Sequence, residues 1–246
     1  MCYSVESSLK TTLLSLSAII YLLSSGIPHF QWIAIILVGW CGMQFDELLL
    51  WATNPRKGCT LWNKIITLTL IPLVLMLQPL GSLWGSLYVI PWDKSSDFRK
   101  NFIIYYTIFI VIAVLASTFI MPYKFCTIVT PKGHLHWNTS KFHQYTTYDY
   151  FIYFLWAFLI ALPIILFWNK NNLIIYLLLI IPLFAFIYGL YTDGKPSIWC
   201  YYTSYASITS IVLLALTQLK IFDVINAFPN DAFHSPLYKI INKLVR

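Results

Sequence analysis

The sequence predicts an all-α fold, an integral membrane bundle of seven transmembrane helices, and two observations lead to this prediction. Of the 246 residues, 59% are hydrophobic and only 10% are charged, whereas ordinary soluble domains carry roughly 25% charged residues. The apolar residues also come in runs of about twenty, the length that a helix needs to cross roughly 30 Å of hydrocarbon. A soluble globular domain is therefore excluded.

Polar, proline and glycine residues divide the chain into seven apolar segments, each of which predicts one membrane-spanning helix. The third segment contains Pro72, Pro79 and Gly85, which predicts a kinked single crossing rather than two short spans. A re-entrant piece near Gln78-Pro79 is the alternative. The predicted helices cover residues 8–26, 31–52, 62–90, 101–121, 148–168, 172–191 and 197–219.

The two ends of the chain are expected to differ. The first apolar segment is not predicted to be a signal peptide, because the residues before it lack a basic stretch and no small-x-small cleavage site follows. The last 27 residues are amphiphilic and basic. We therefore predict a transmembrane domain over residues 1–219 and an amphiphilic C-terminal tail over residues 220–246, which lies on the membrane surface.

Charge gives little information about orientation. The 16 lysines and arginines divide equally between the two sides of a seven-helix topology, so the positive-inside rule does not decide between them. The Asn138-Thr139-Ser140 tripeptide is an N-glycosylation pattern, which is used only on the lumenal side. This favours a multi-pass membrane protein with its N-terminus outside. We expect the basic residues behind the net charge of +7 to contact the lipid bilayer rather than nucleic acid. The sequence leaves open whether the protein forms a homo-oligomer.

Most thiol and imidazole groups fall on the side of the N-terminus in this topology. If that side is oxidising, one disulfide is expected among Cys2, Cys59, Cys126 and Cys200. Together with Cys126 and Cys200, three histidines supply ligand types for zinc or copper, although their spacing matches no compact zinc pattern. The metal candidates are His134, His136 and His143, and the sequence identifies no cofactor.

One face of the second helix carries the strongest functional candidate. Residues Gln44 and Glu47 share this face, and an ionisable carboxyl inside a membrane usually faces a cavity and has a function. Asp46 lies about 100° around the helix from Glu47. We expect serine and threonine stripes in the first and seventh helices, with Asn63 of the third, to meet Glu47 in a common polar interior. The predicted stripe of the first helix is Ser4, Ser8, Thr11 and Ser15. The candidate pocket or transport residues are Glu47, Asp46, Gln44, Asn63, Cys2, Cys200, Ser204 and Ser207.

Sequence signatures exclude several functions. No lysine lies in the middle of the seventh helix to anchor a retinal, and no helix carries a row of voltage-sensing arginines. Metalloprotease, serine hydrolase, phosphate-binding and potassium-filter motifs are also missing. Catalytic residues and any enzymatic activity therefore stay unknown.

Short motifs at three places resemble a known family. The start Met1-Cys2-Tyr3-Ser4, the Gln44-x-x-Glu47 pair followed by Trp51, and Trp199-Cys200 are similar to a family of small polytopic membrane proteins from bacteria and large DNA viruses. Members begin Met-Cys-Trp-Ser or similar and carry Gln-x-x-Glu in the second helix. This chain departs from the pattern at Tyr3 and lacks the histidine that often precedes the glutamine, which weakens any metal site. The resemblance implies no activity.

Three functions stay open from the sequence. The favoured hypothesis is a channel or transporter that moves protons, cations or a small solute through a polar pocket around Glu47. The alternatives are a receptor-like or assembly protein of the membrane and an intramembrane metal or thiol enzyme. Since a fold does not determine a function, the choice depends on the site.

Overall fold

A computed structural model describes residues 4–120, 126–130, 133–137, 147–168 and 195–219. Within these residues the protein consists of α-helices, short 3₁₀ turns and one two-stranded antiparallel hairpin. The helices are α1 (Val5–Ser24), α2 (Pro28–Ala52), α3 (Leu61–Trp84), α4 (Asp97–Ile120), α5 (Thr147–Phe167) and α6 (Lys195–Gln218). The hairpin pairs β1 (Ile128–Val129) with β2 (Leu135–His136).

Four of these helical segments are long and apolar enough to cross a membrane. They are Val5–Ser24, Pro28–Ala52, Leu61–Tyr88 and Asp97–Thr118. This agrees with a mostly helical, multi-pass membrane protein. The seven-helix count is not confirmed, because the described residues contain six helices and the predicted span 172–191 lies outside them. The tail over 220–246 also lies outside them.

The third helix is continuous despite its two internal prolines. Pro72 and Pro79 lie inside α3, which runs unbroken to Trp84 and continues as a 3₁₀ turn over Gly85–Tyr88. One continuous helix without a break at Gln78-Pro79 fits the predicted single crossing better than the alternative of a re-entrant piece. Neighbouring helices can satisfy the backbone groups that a proline frees, which makes proline tolerable inside a membrane helix. Here α3 packs against α2, α4 and α5.

Local signals explain where the first two helices begin and end. Ser4 caps α1, since its hydroxyl accepts from the Ser7 backbone N–H while the Ser7 hydroxyl in turn lies 3.2 Å from the Ser4 backbone nitrogen. A short connection with Gly26 at φ +69° leads to Pro28 at the first position of α2. Because the connection is so short, α1 and α2 pack as an antiparallel pair.

The α2–α3 contact depends on glycine. A Cβ added to Gly39 would lie 2.6 Å from the Leu77 carbonyl oxygen, and one added to Gly81 would lie 2.8 Å from that of Ile35. Small residues at such positions let two membrane helices approach backbone to backbone. This face of α2 is therefore fixed against α3, and the opposite face is left for α1 and α6.

Candidate functional site

A buried hydrogen-bond network joins α1, α2 and α6 around Gln44. The Ser15 hydroxyl donates to Gln44 Oε1 at 2.8 Å. Gln44 Nε2 donates to Thr203 Oγ1 at 2.8 Å and to Ser204 Oγ at 3.0 Å. The side chain of Gln44 has no solvent exposure, so one amide satisfies its acceptor and both its donors inside the bundle.

Ser207 extends the network toward α1. Its hydroxyl lies 3.0 Å from Ser15 Oγ and is buried. The chain of donors thus runs from Ser207 through Ser15 to the amide of Gln44 and on to Thr203 and Ser204. The structure brings together the predicted residues Gln44, Ser204 and Ser207. Thr203 was missed, although its position next to Ser204 on the same helix could have indicated it.

Glu47 lies one helical turn beyond Gln44. It has no solvent exposure and precedes the last residue of α2, Ala52, by five positions, which is about 7.5 Å along the helix. A carboxyl group at this depth is costly to keep ionised in hydrocarbon. Its position next to a polar network, rather than among lipid-facing side chains, is typical of a residue that binds or moves an ion.

Two hydroxyl groups of α1 lie at the same end of the bundle. Ser8 and Thr12 are 0% and 3% exposed, and neither hydroxyl has a hydrogen-bond partner within the described part of the chain. Leaving a buried polar group unsatisfied costs about 1–3 kcal/mol. The predicted stripe of Ser4, Ser8, Thr11 and Ser15 needs a correction here, because Ser4 is exposed and Thr11 only half-buried. The buried stripe is Ser8, Thr12 and Ser15.

Asp46 belongs to a different face of α2. It is 1% exposed, and its Oδ2 has no hydrogen-bond partner among the described residues. Asp46 follows Gly42 by four residues and Gly39 by seven, so it shares their helix face. Since both glycines lie against α3, the structure separates Asp46 from the Gln44 network. The sequence prediction had placed both acidic residues near one pocket.

Asn63 also belongs elsewhere, in a network that holds the segment before the hairpin. Its Nδ2 donates to the Thr127 carbonyl at 3.0 Å, and the Thr127 backbone N–H donates to Asn63 Oδ1 at 2.8 Å. The Thr67 and Thr127 hydroxyls lie 2.9 Å apart. Asn63 therefore holds a loop to the start of α3, and the structure does not bring it to Gln44.

A disulfide joins Cys59 and Cys126 beside this network, with a Cα–Cα distance of 5.7 Å, which is ordinary for a disulfide. It confirms the prediction of one disulfide among four named cysteines and identifies the pair. Cys41 of α2 is buried and free. Cys2 lies outside the described residues, and Cys200 lies in the first turns of α6 with its side chain outside the described part.

The predicted histidine ligands do not form a metal site with described residues. His134 and His136 flank the buried Leu135 and are 7% and 8% exposed, while His143 lies outside the described residues. Across the described part of the chain, no three His, Cys, Asp or Glu side chains lie close enough to hold a metal ion. The disulfide also takes Cys126 out of the predicted ligand set.

Arg99 is a polar centre that the sequence analysis counted only as a loop charge. It is 1% exposed near the start of α4, at the opposite end of the bundle from Glu47. Its Nη2 donates to the Ser86 carbonyl at 2.7 Å and to the Ser86 hydroxyl at 2.8 Å. The guanidinium lies 4.9 Å from the centre of the Phe167 ring, a cation–π contact. No sequence signal marked this residue, because its burial depends on α5.

No family model, no curated protein and no solved structure matches this chain. The resemblance to the family with Gln-x-x-Glu in its second helix therefore stays a prediction. The function has to be argued from the site.

Proposed function

We propose that this protein is a channel or transporter that moves protons, other cations or a small solute past Glu47. The observation that carries the proposal is a fully buried carboxyl group one turn from a three-helix polar network. Buried ionisable residues in membrane helices are rare and mark ion pathways and proton relays. Gln44, Ser204 and Ser207 would hold the three helices in register around Glu47.

The alternative of an intramembrane metal or thiol enzyme has less support. Two of the four predicted cysteines are joined in the disulfide and are no longer available as thiolates. Among the described residues, no group of three His, Cys, Asp or Glu side chains could hold a metal ion. A receptor-like or assembly role gains no specific observation from the described contacts.

The test is flux through the purified protein in liposomes with a pH-sensitive dye inside. The variant is Glu47→Gln, which keeps the shape of the side chain and removes the ionisable group. The matched control is Glu6→Gln, the same change at an exposed residue that pairs with Lys10. We expect Glu47→Gln to reduce proton or cation flux to the level of empty liposomes and Glu6→Gln to keep it. Equal flux in both variants would refute the proposal.

We also propose that the N-terminus faces the oxidising side of the membrane. Cys59 follows α2 and Cys126 follows α4, so both lie on the side of the N-terminus if α1 to α4 each cross once. Disulfides persist in oxidising compartments and are rare in reducing ones. This supports the orientation that the glycosylation tripeptide favoured. A protease that reaches an N-terminal tag only from the cytoplasmic side would contradict it.

A further inference from the structure

The buried hydroxyls of Ser8 and Thr12 support a further step, which rests on the proposed function of Glu47. Ser8, Thr12 and Ser15 lie at i, i+4 and i+7 and so share one face of α1. Ser15 of this face donates to Gln44, so the face is directed at the α2–α6 side of the bundle. Two of its three hydroxyls have no partner within the described residues.

The register of the helices places these hydroxyls near Glu47. The helices α1 and α2 are antiparallel, and the 2.8 Å contact between Ser15 and Gln44 fixes their relative level. Thr12 precedes Ser15 by three residues and Glu47 follows Gln44 by three, which puts both about 4.5 Å from that contact in the same direction. Cys41 Sγ also lies 3.9 Å from the Thr12 carbonyl oxygen, so Glu47, six residues beyond Cys41, lies on the surface side of Thr12, toward Ser8. Ser8 lies one turn closer to the membrane surface, where Ser4 is exposed and Ser7 is half-buried.

The chemistry of a hydroxyl indicates which ligand is missing. A buried hydroxyl needs an acceptor for its proton and a donor for its lone pairs. Water supplies both, whereas a bare metal cation interacts only with the lone pairs and leaves the proton unsatisfied. Buried water typically makes about three hydrogen bonds to otherwise unsatisfied polar groups. Two unsatisfied hydroxyls one turn apart therefore favour ordered water over sodium.

We infer that the face of α1 formed by Ser8, Thr12 and Ser15 is a hydrated passage that carries protons between the N-terminal surface and Glu47. The transported ion is then the proton, which moves along water and hydroxyl oxygens and is held by the Glu47 carboxylate. No covalent bond to carbon changes in this step. One proton enters from water at Ser8, and one leaves the carboxyl group of Glu47.

The first test measures water access with single cysteine substitutions in nanodiscs, where both membrane faces are open to a reagent. Thr12→Cys is compared with Leu13→Cys, which lies at the same depth but on an exposed, lipid-facing side chain. We expect a charged methanethiosulfonate reagent to label Thr12→Cys several-fold faster than Leu13→Cys, after subtraction of labelling of the parent chain. Equally slow labelling at both positions would overturn the hydrated passage, whatever the flux of Glu47→Gln turns out to be.

The second test separates protons from metal cations. We expect the double variant Ser8→Ala, Thr12→Val to reduce proton flux in liposomes several-fold, and Leu9→Ala, Leu13→Ala to leave it unchanged. Replacing sodium by choline should not change the flux of the parent chain. Sodium uptake that Glu47→Gln abolishes would overturn the proton assignment and keep the proposed function. Unchanged proton flux in Glu47→Gln, with Thr12→Cys labelled, would refute the proposed function instead.

Discussion

Replacing Gln44 by leucine tests whether the three-helix network stabilises the bundle. The change keeps the approximate side-chain size and removes three interhelical hydrogen bonds, to Ser15, Thr203 and Ser204. Interhelical hydrogen bonds in membrane proteins are worth about 0.6 kcal/mol each, so three amount to about 2 kcal/mol. For a chain of this size, 1 kcal/mol corresponds to about 2–4 °C in the midpoint of thermal unfolding. We therefore expect Gln44→Leu to lower the midpoint by about 4–8 °C.

The matched control is Gln78→Leu, the same change at an equally buried position of α3. Gln78 Oε1 accepts one interhelical hydrogen bond, from Trp156 Nε1 at 3.1 Å, so about 0.6 kcal/mol and 1–2 °C are expected. Unfolding of both variants is followed by tryptophan fluorescence in the same detergent. If Gln44→Leu lowers the melting temperature by no more than Gln78→Leu does, the network does not hold the helices together. The position of Glu47 relative to α1 would then no longer follow from it.

Three further variants test other contacts. Gly39→Ala should destabilise the bundle by about 1–3 kcal/mol, and more than Gly42→Ala. The new Cβ at Gly39 would meet backbone atoms of α3, whereas a Cβ at Gly42 would meet the Val74 side chain. Thermal unfolding that ranks the two variants in the other order would contradict the backbone contact. Cys59→Ser opens a loop of 67 residues and should lower the melting temperature by as much as reduction of the parent chain does. The loss of stability from chain entropy is at most about 4 kcal/mol. A parent chain whose melting temperature does not respond to reductant would contradict the disulfide. Asp46→Asn removes a buried carboxyl group whose Oδ2 has no partner among the described residues. It should leave the melting temperature unchanged or raise it, and leave flux unchanged. A loss of flux like that of Glu47→Gln would instead place both acidic residues on one pathway.

Helix positions and the polar face of α2 were predictable, because both depend on local periodicity. The apolar runs gave the helices to within a few residues, and the three-residue spacing from Gln44 to Glu47 placed both side chains on a related face. Their burial was expected because polar side chains in a membrane helix usually face the interior of the bundle. The disulfide pair was predictable only as one of several, since each pairing is allowed by a topology that puts four cysteines on one side.

The rest of the site depends on contacts that are distant in sequence. In α1 both Thr11 and Thr12 fit a polar stripe, and only the packing of α2 and α6 decides that Thr12 is the buried one. Asn63 lies at the expected end of α3, but its partner is Thr127, 64 residues away. Arg99 is buried against Phe167 of α5, 68 residues away. No single-sequence pattern contains these pairings.

The two faces of α2 differ in how easily they can part, and this indicates where a transporter would open. Against α3 the glycines bring backbones into contact, and such close packing does not deform continuously. Against α1 and α6 apolar packing is joined by hydrogen bonds between side chains, which water can replace at little enthalpic cost. If Glu47 is exposed to each side in turn, we therefore expect the movement on this side of α2, where α1 and α6 also meet. The Ser15 and Ser207 hydroxyls lie 3.0 Å apart, so the double variant Ser15→Cys, Ser207→Cys should form a disulfide that blocks flux until it is reduced. Full flux with the cross-link in place would show that α1 and α6 do not separate during transport.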